Sequence, residues 1–420
     1  MKNRAAFFIA LRYLLVRAHE GVRYLRGAAA GIAVSLVPII VTLIVADGMI
    51  RGITDRYLEL GTGHIQVFDV MSYGYEDAIE KINRIEGVRG TWLENRGMGV
   101  LAGRSGRTGV SVRSIEASFW DDADSYKFLE IIDGTHKPET DRDIVIGETL
   151  ALNIGAKVGD TVRLMTVRNA DEGRLSPRMA SFTVRGIMSC GYNELDALWC
   201  IINDSGGNRV FSQDQSSSSL IVKIDDPYGN AENFLFSLFE KLGGSYSFYT
   251  WKDLLRSQYS AYETSRQLLL FIMALIVVVA AINVSSATSM LVLERQRDIA
   301  ILKISGAKVS GVTQIFLIGS FLTGVIGSII GITLGLLIGG NINVLIRSLE
   351  KLLSFFSGLF NGGEVKILDP GFYLETIPII IDWKMVFLIG LFAVLCSVLA
   401  SLIPARRAGK LKPMELIRKT

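Results

Sequence analysis

Four long apolar runs constrain this 420-residue chain more than any other feature of its sequence. They lie at residues 27–50, 268–293, 312–342 and 385–403, and about 20 consecutive apolar residues suffice to cross a bilayer as a helix. Half of the residues are hydrophobic and only 20% are charged, which few soluble proteins of this length show. The pattern predicts an α-helical membrane protein with four transmembrane helices.

Charged residues at the ends of these runs predict the orientation in the membrane. Six basic residues precede the first run and six follow the last, against Glu20 and Glu415 alone. Basic flanks stay in the cytoplasm, so we expect both termini there and residues 51–267 and 343–384 outside. A cleaved signal peptide is the alternative for the first run, but that run is about twice as long as the apolar core of a signal peptide.

The exported region 51–267 predicts a large α+β domain. Strand–helix–strand patterns occur in both 51–103 and 217–262, which suggests one outer subdomain with the β-rich segment 104–216 inserted into it. Between two strands of the insert, the polar stretch 168–179 predicts a projecting hairpin loop, or an ordinary surface loop. Cys190 and Cys200 could pair or remain free thiols, and the sequence leaves both options open.

The short segment 294–311 joins the second and third runs and is too short for a domain. Its amphipathic pattern predicts one helix against the cytoplasmic membrane surface, which presents side chains to a partner outside the bilayer. The residues that we assign to this coupling surface are Glu294, Arg295, Arg297, Asp298, Ile299, Ala300, Leu302 and Lys303.

Four glycines recur at every fourth residue of the third run. Such a row gives a helix one smooth face that another helix can approach closely. We therefore expect a helix-packing face at Gly327, Gly331, Gly335 and Gly339.

Sequence signatures of catalysis are missing. The chain has no G-x-x-x-x-G-K-[ST] phosphate loop and no G-x-S-x-G elbow, and its three histidines are scattered. The centres of the four runs carry no ionisable residue, which argues against an ion-coupled carrier. We expect a non-catalytic membrane subunit without a metal or cofactor of its own and without a nucleic-acid partner.

The order of a basic N-terminal helix, one span, a large exported domain and three spans resembles the lipoprotein-releasing ABC transporter permeases of the LolC/LolE type. These permeases fall in the broader class of MacB and FtsX. The opening FFIALRYLLVRA, the span exit ADGMIRGI, the strands VGDTVRLM and FTVRGIM, and the ending IPARRAGKLKPMELIR all resemble this family. The most specific stretch is VVAAINVSSATSMLVLERQRDIAILKISGA.

The resemblance implies that two permease chains, as a homodimer or heterodimer, pair with a separate LolD-like ATPase that binds ATP and Mg²⁺. It implies extraction of lipoproteins from the outer leaflet of the bacterial inner membrane and delivery to a periplasmic LolA-like carrier, with a MacB-like periplasmic domain in between. Independently of the resemblance, apolar residues at helical spacing with arginines between them predict that residues 1–26 form a cytoplasmic amphipathic helix at the membrane surface, or a plain extension of the first span. A LolC role, a LolE role and a hybrid homodimer all remain open.

Two groups of residues are assigned on this resemblance. For the lipoprotein acyl chains, we expect a cavity between the first two spans at Val41, Ile44, Val45, Met49, Phe271, Leu275 and Val278. For the carrier, we expect a binding loop at Arg174, Leu175, Ser176, Pro177, Arg178 and Met179. The alternative function is a MacB/FtsX-like mechanotransmission permease that serves peptide or drug efflux, or controls a cell-wall hydrolase.

Overall fold

The computed structural model describes residues 21–69, 75–122, 124, 126–170, 174–211, 217–243, 246–359, 367, 374 and 376–411. Most of the expected N-terminal amphipathic helix and of the C-terminal tail therefore lies outside the described residues. The described chain forms two compact units. One comprises 1–48, 263–361 and 378–420, and the other 49–262 and 362–377.

The helices are, in chain order, α1 (Gly21–Arg56), α2 (Tyr75–Asn83), α3 (Glu148–Ile154), α4 (Asn193–Asp196), α5 (Asp204–Val210), α6 (Ala231–Leu242), α7 (Trp251–Leu254), α8 (Arg256–Glu294), α9 (Gln296–Ile304), α10 (Val309–Gly340), α11 (Ile342–Leu359) and α12 (Trp383–Lys410). A π-helical turn, Tyr57–Thr62, follows α1. Four helices, α1, α8, α10 and α12, are long and apolar enough to cross a membrane. Three of them contain their predicted runs in full, and α10 contains the third run up to Gly340, two residues before its predicted end.

The strands are β1 (Ile65–Phe68), β2 (Val88–Ala102), β3 (Arg107–Ile115), β4 (Glu130–Gly134), β5 (Asp143–Gly147), β6 (Thr161–Ala170), β7 (Arg174–Ser189), β8 (Trp199–Asn203), β9 (Ser217–Ile224) and β10 (Ser247–Thr250). They form one mixed sheet in the order β10-β1-β9-β2-β3-β8-β5-β7-β4, with β6 paired to β2 and β7. The second unit is thus a mixed α/β domain, as expected.

The first unit is a helical bundle with an apolar interior. Side chains of α1, α8 and α12 share one cluster, which includes Leu36, Ile40, Met273 and Ala393. Several buried hydroxyl groups of the bundle form hydrogen bonds within it, as the membrane interior favours. The hydroxyl of Ser397 on α12 donates to the Ser320 carbonyl of α10 at 3.0 Å.

Among the described residues, the second unit holds four apolar clusters, two of which mark the two ends of the sheet. One is built from residues 101–210, around Val112, Ile144 and Phe182. The other is built from residues 65–248, around Val67 and Val222, under α2 and α6. The long strand β2 pairs with β9 at its start and with β6 at its end, so both predicted subdomains share one sheet. The insertion of one subdomain into the other remains a prediction.

Candidate functional site

The predicted coupling helix forms as α9, but two of its expected surface residues are buried. Ile299 is 1% exposed and Ala300 is 3% exposed. Ile299 packs with Phe316 of α10 and Ala405 of α12 in a small apolar core. Burial therefore makes Ile299 and Ala300 packing residues, which corrects the expectation that they face a partner.

The exposed apolar side chains of α9 are Ile301 and Ile304, which are 62% and 65% exposed. They lie three residues apart and so share one face of the helix. The sequence analysis did not select them, since QRDIAILKI has apolar residues on more than one face. Only the packing of Ile299 decides which face turns outward.

The polar residues of this segment take different positions. Arg295 forms an ion pair with Asp298 at 3.2 Å, and the Lys303 ammonium donates to the Leu411 carbonyl at 2.6 Å. Glu294 and Arg297 are exposed, and Leu302 is half-buried. Arg297 lies one helical turn before Ile301, so an exposed charge borders the Ile301–Ile304 face.

The residues assigned to an acyl-chain cavity do not come together as one lining. Ile44 is 1% exposed, and Met49 belongs to the other unit. Val41 and Val45 are half-buried on α1. The side chains assigned on α8 point away from the bundle instead, with exposures of 63%, 50% and 43% for Phe271, Leu275 and Val278. Within this chain the seven residues therefore do not line one common cavity between the first two spans, and their contact with acyl chains stays a prediction.

An apolar cavity of about 420 Å³ does lie in the bundle, between α1, α8 and α12. On α8 it is lined by Leu270, Met273, Ala274 and Val277, which follow the helical i, i+3, i+4, i+7 pattern. This lining is offset by about one residue, or ~100° around the helix, from the face that we predicted. The remaining lining residues are Ile39, Met385, Leu388, Ile389, Leu391, Phe392 and Leu395.

One arginine, Arg266, links three of the long helices at one end of the bundle. The Arg266 guanidinium of α8 contacts the Asp47 carboxylate of α1 at 2.8 Å and the Asp382 carboxylate at 3.6 Å. Asp382 also caps α12, because its carboxylate accepts from the N–H groups of Lys384 and Met385. The sequence analysis missed this cluster, whose members are distant in the chain.

The glycine row of α10 packs against α1. All four glycines are buried, and a Cβ added to Gly331 would lie 2.8 Å from the Ala33 carbonyl oxygen. A Cβ on Gly327, Gly335 or Gly339 would lie 2.5–2.7 Å from backbone or side-chain atoms of α1. Ile44 occupies the space beside Gly339, which explains its burial.

The segment predicted as a carrier-binding loop is part of a long β-hairpin. Strands β6 and β7 pair from Thr161↔Thr183 to Ala170↔Arg174. Pro177 lies opposite Val167 in this ladder, and residues 171–173 at the tip lie outside the described residues. The backbone of Arg174, Leu175 and Ser176 is therefore strand and not loop.

Two methionines of the sheet are exposed, one in this hairpin and one in β2. Met179 on β7 is 59% exposed and Met98 on β2 is 72% exposed. Arg178 is half-buried, and its guanidinium donates to the Phe211 carbonyl at 3.5 Å. Methionine adapts its shape to irregular apolar partners, which suits a docking surface.

A buried ionic cluster anchors the π-helical turn to the sheet. The Glu94 carboxylate accepts two bonds from Arg113, at 2.6 and 2.8 Å, and one from Arg96 at 2.5 Å. The two guanidinium groups also donate to the carbonyls of Leu60 and Gly61. Burial by itself would raise the pKa of Glu94, but the charges of Arg113 and Arg96 outweigh it and lower the pKa to about 2.

Cys190 and Cys200, which the sequence left open as a disulfide pair or free thiols, lie in the same unit. Both are free, buried thiols. Burial raises the pKa of each, so neither is a reactive thiolate at neutral pH.

Comparisons with known proteins agree with this architecture. Residues 27–231 match the model of the MacB-like periplasmic core domain, and residues 270–413 match the FtsX-like permease C-terminal model. The chain is 28% identical to the lipoprotein-releasing system transmembrane protein LolC of Neisseria meningitidis, over 98% of both chains. It is 27% identical to LolC of Xylella fastidiosa over 100% of both chains, and 23% identical to LolE of Haemophilus influenzae over 98% of both.

Proposed function

We propose that this chain is an ABC transporter permease of the LolC/LolE type, which uses ATP hydrolysis on a separate ATPase to extract lipoproteins from the outer leaflet of the bacterial inner membrane. The observation that carries the proposal is the similarity to lipoprotein-releasing permeases over essentially the whole chain. The extracted lipoprotein would pass to a periplasmic LolA-like carrier. ATP and Mg²⁺ would bind to the LolD-like ATPase, and we propose no cofactor for this chain.

Helix α9 is the proposed contact with the ATPase. The exposed faces of Ile301 and Ile304 offer apolar area, and Glu294 and Arg297 beside them are exposed charges. An apolar centre with a charged rim is typical of protein interfaces. Ile299 packs α9 against α10 and α12 in a shared apolar core. A displacement of α9 would therefore be transmitted directly to these two spanning helices.

The exposed face of α8 is the proposed contact with lipoprotein acyl chains. Phe271, Leu275 and Val278 lie on that face, and a second permease chain opposite them would enclose an apolar space. Each CH₂ buried in a membrane contributes about 0.8 kcal/mol to anchoring, so three acyl chains do not leave spontaneously on a useful timescale. Closure of such a space on ATP binding would supply the work of extraction.

Co-purification tests the ATPase contact. We expect Ile301→Asp/Ile304→Asp to abolish association with the ATPase, because two carboxylates would be desolvated in an apolar contact. Leu152→Asp is the matched control, since Leu152 is 75% exposed on α3 in the other unit. Retention of the ATPase by the double variant, or its absence from the unaltered chain, would contradict the proposal.

The second candidate is a mechanotransmission permease for efflux or for hydrolase control, which the names of the two matching family models favour. Depletion of the chain followed by membrane fractionation separates the two functions. If the chain extracts lipoproteins, mature lipoproteins should accumulate in the inner membrane when the chain is depleted. Normal lipoprotein sorting, with a defect in efflux or septation, would instead support the second function.

A further inference from the structure

A second cavity lies at the opposite end of the bundle from Arg266, where α10 begins and α12 ends. Its volume is about 610 Å³. Its mouth carries the side chains of Lys308, Ser310 and Arg406, and farther along the same two helices it is lined by Leu317 and Leu402. The cavity thus has a cationic end and an apolar end.

The two basic side chains at the cationic end of the cavity are available to bind an anion. Lys308 and Arg406 are both exposed, and within the described part of the chain neither has a carboxylate within 4.0 Å. Lys308 also precedes the 32-residue helix α10 without providing a side-chain cap. The first N–H groups of a helix attract anions, so this terminus adds to the positive potential of the two side chains.

The two helices meet closely at this point because Gly409 of α12 has no side chain. A Cβ there would lie 2.6 Å from the Thr313 hydroxyl and 2.8 Å from the Val309 carbonyl oxygen, both in the first turns of α10. The Thr313 hydroxyl itself donates to the Val309 carbonyl at 3.0 Å. The cavity is therefore held by a packed helix pair, and only Lys308 of its lining lies outside the two helices, directly before α10.

We propose that this cavity binds one anionic phospholipid. Its phosphate lies between Lys308 and Arg406, and one acyl chain extends along Leu317 and Leu402. Basic pockets between membrane helices on the cytoplasmic side are suited to anionic lipid headgroups. The proposal rests on the membrane topology of the proposed function, in which this end of the bundle faces the cytoplasm. The apolar end favours a lipid over free phosphate, which would leave that surface empty.

Native mass spectrometry of the purified full-length chain in detergent tests the site. The probes are phosphatidylglycerol, phosphatidylcholine of the same acyl length, and inorganic phosphate. We expect tighter retention of one phosphatidylglycerol than of phosphatidylcholine. In Lys308→Gln/Arg406→Gln the affinity should fall about 30-fold, since each basic residue near an anionic surface contributes about 1 kcal/mol.

The control is Lys351→Gln/Arg407→Gln, which removes the same charge from two exposed residues outside the cavity lining. It should retain phosphatidylglycerol like the unaltered chain. Equal loss in the control, equal retention of the two lipids, or equally tight binding of inorganic phosphate would overturn the proposal. The proposal would also be overturned if Lys308→Gln/Arg406→Gln still bound phosphatidylglycerol and lost only its association with the ATPase. Because lipid binding is measured on the permease without the ATPase, a failure to bind lipid is distinguishable from a failure to bind the ATPase.

Discussion

At the scale of single residues, Gly331 shows how closely α1 and α10 approach each other. A Cβ at this position would lie 2.8 Å from the Ala33 carbonyl oxygen and 2.9 Å from the Ala33 Cα. Both are backbone atoms, so no side-chain rotation can relieve the contact. The helices would have to move apart, and the packing of small residues that joins them would be lost.

Gly331→Ala should therefore destabilise the full-length chain by about 1–3 kcal/mol, the usual cost of overpacking. Thermal unfolding in detergent measures the effect as a lower Tm. The matched control is Gly340→Ala in the same helix, where an added Cβ would meet nothing within 4 Å. An equal loss of Tm in both variants would show that steric contact with α1 is not the cause.

Glu94 pairs with Arg113, which would otherwise be buried without a counter-charge, and with the partly exposed Arg96. Its side chain is fully buried, and that of Arg113 is 3% exposed. Glu94→Gln keeps the shape but removes the charge, which should cost about 3–5 kcal/mol of stability. Glu80→Gln is the control, because the Glu80–Arg84 pair lies on the surface and such pairs contribute little. A small effect at Glu94 would mean that the cluster is not needed for folding.

The same carboxylate predicts a pH dependence. The pKa of Glu94 is lowered to about 2 in the folded chain, against about 4.3 for an unperturbed glutamate. A lowered pKa stabilises the folded state fully above about pH 4.3, and the contribution is lost as the pH falls through about 2. The Tm of the unaltered chain should therefore fall more steeply across this window than that of Glu94→Gln. Parallel Tm profiles would contradict the assignment.

At the scale of elements, the hairpin of β6 and β7 is the part that the sequence described least well. Gly173 and Pro177 suggested a loop, yet the strands pair up to Ala170↔Arg174. Proline is tolerated in a sheet where its missing N–H is not needed. A long paired ribbon presents side chains at fixed positions, which favours binding of a rigid partner.

If this hairpin binds the lipoprotein carrier, Met179→Asp should weaken the binding by roughly tenfold, since an apolar contact becomes a charged one. Biolayer interferometry between the full-length permease and a LolA-like carrier measures it. Leu152→Asp is again the control, because Leu152 is exposed in the same unit but lies on α3. Unchanged affinity in Met179→Asp would remove Met179 from the docking surface.

At the scale of the whole molecule, the charge distribution predicts which side of the membrane each segment faces. Leu152→Cys should react with a membrane-impermeant maleimide in intact cells, because residues 51–267 are expected outside. Ser305→Cys, just after α9, should react only after permeabilisation. Cys190 and Cys200 are buried and should add little background. Labelling of Ser305→Cys in intact cells would overturn the topology.

The sequence by itself determined the four long apolar helices, the mixed α/β exported domain and the glycine row. Each depends on a local repeat: continuous apolar length, alternation in strands, or a spacing of four residues. Strand β9, helix α6 and strand β10 all lie in 217–262, where the sequence predicts a strand–helix–strand pattern.

Only the tertiary structure decided which face of a helix is buried and which distant residues meet. It turned Ile299 inward and Ile301 outward on α9, and it brought Leu270 instead of Phe271 to the cavity. It also joined Asp47, Arg266 and Asp382, which are far apart in the chain. The physical reason is that a helix apolar on several faces has no preferred inner face of its own. Its orientation is chosen by the neighbours that pack against it.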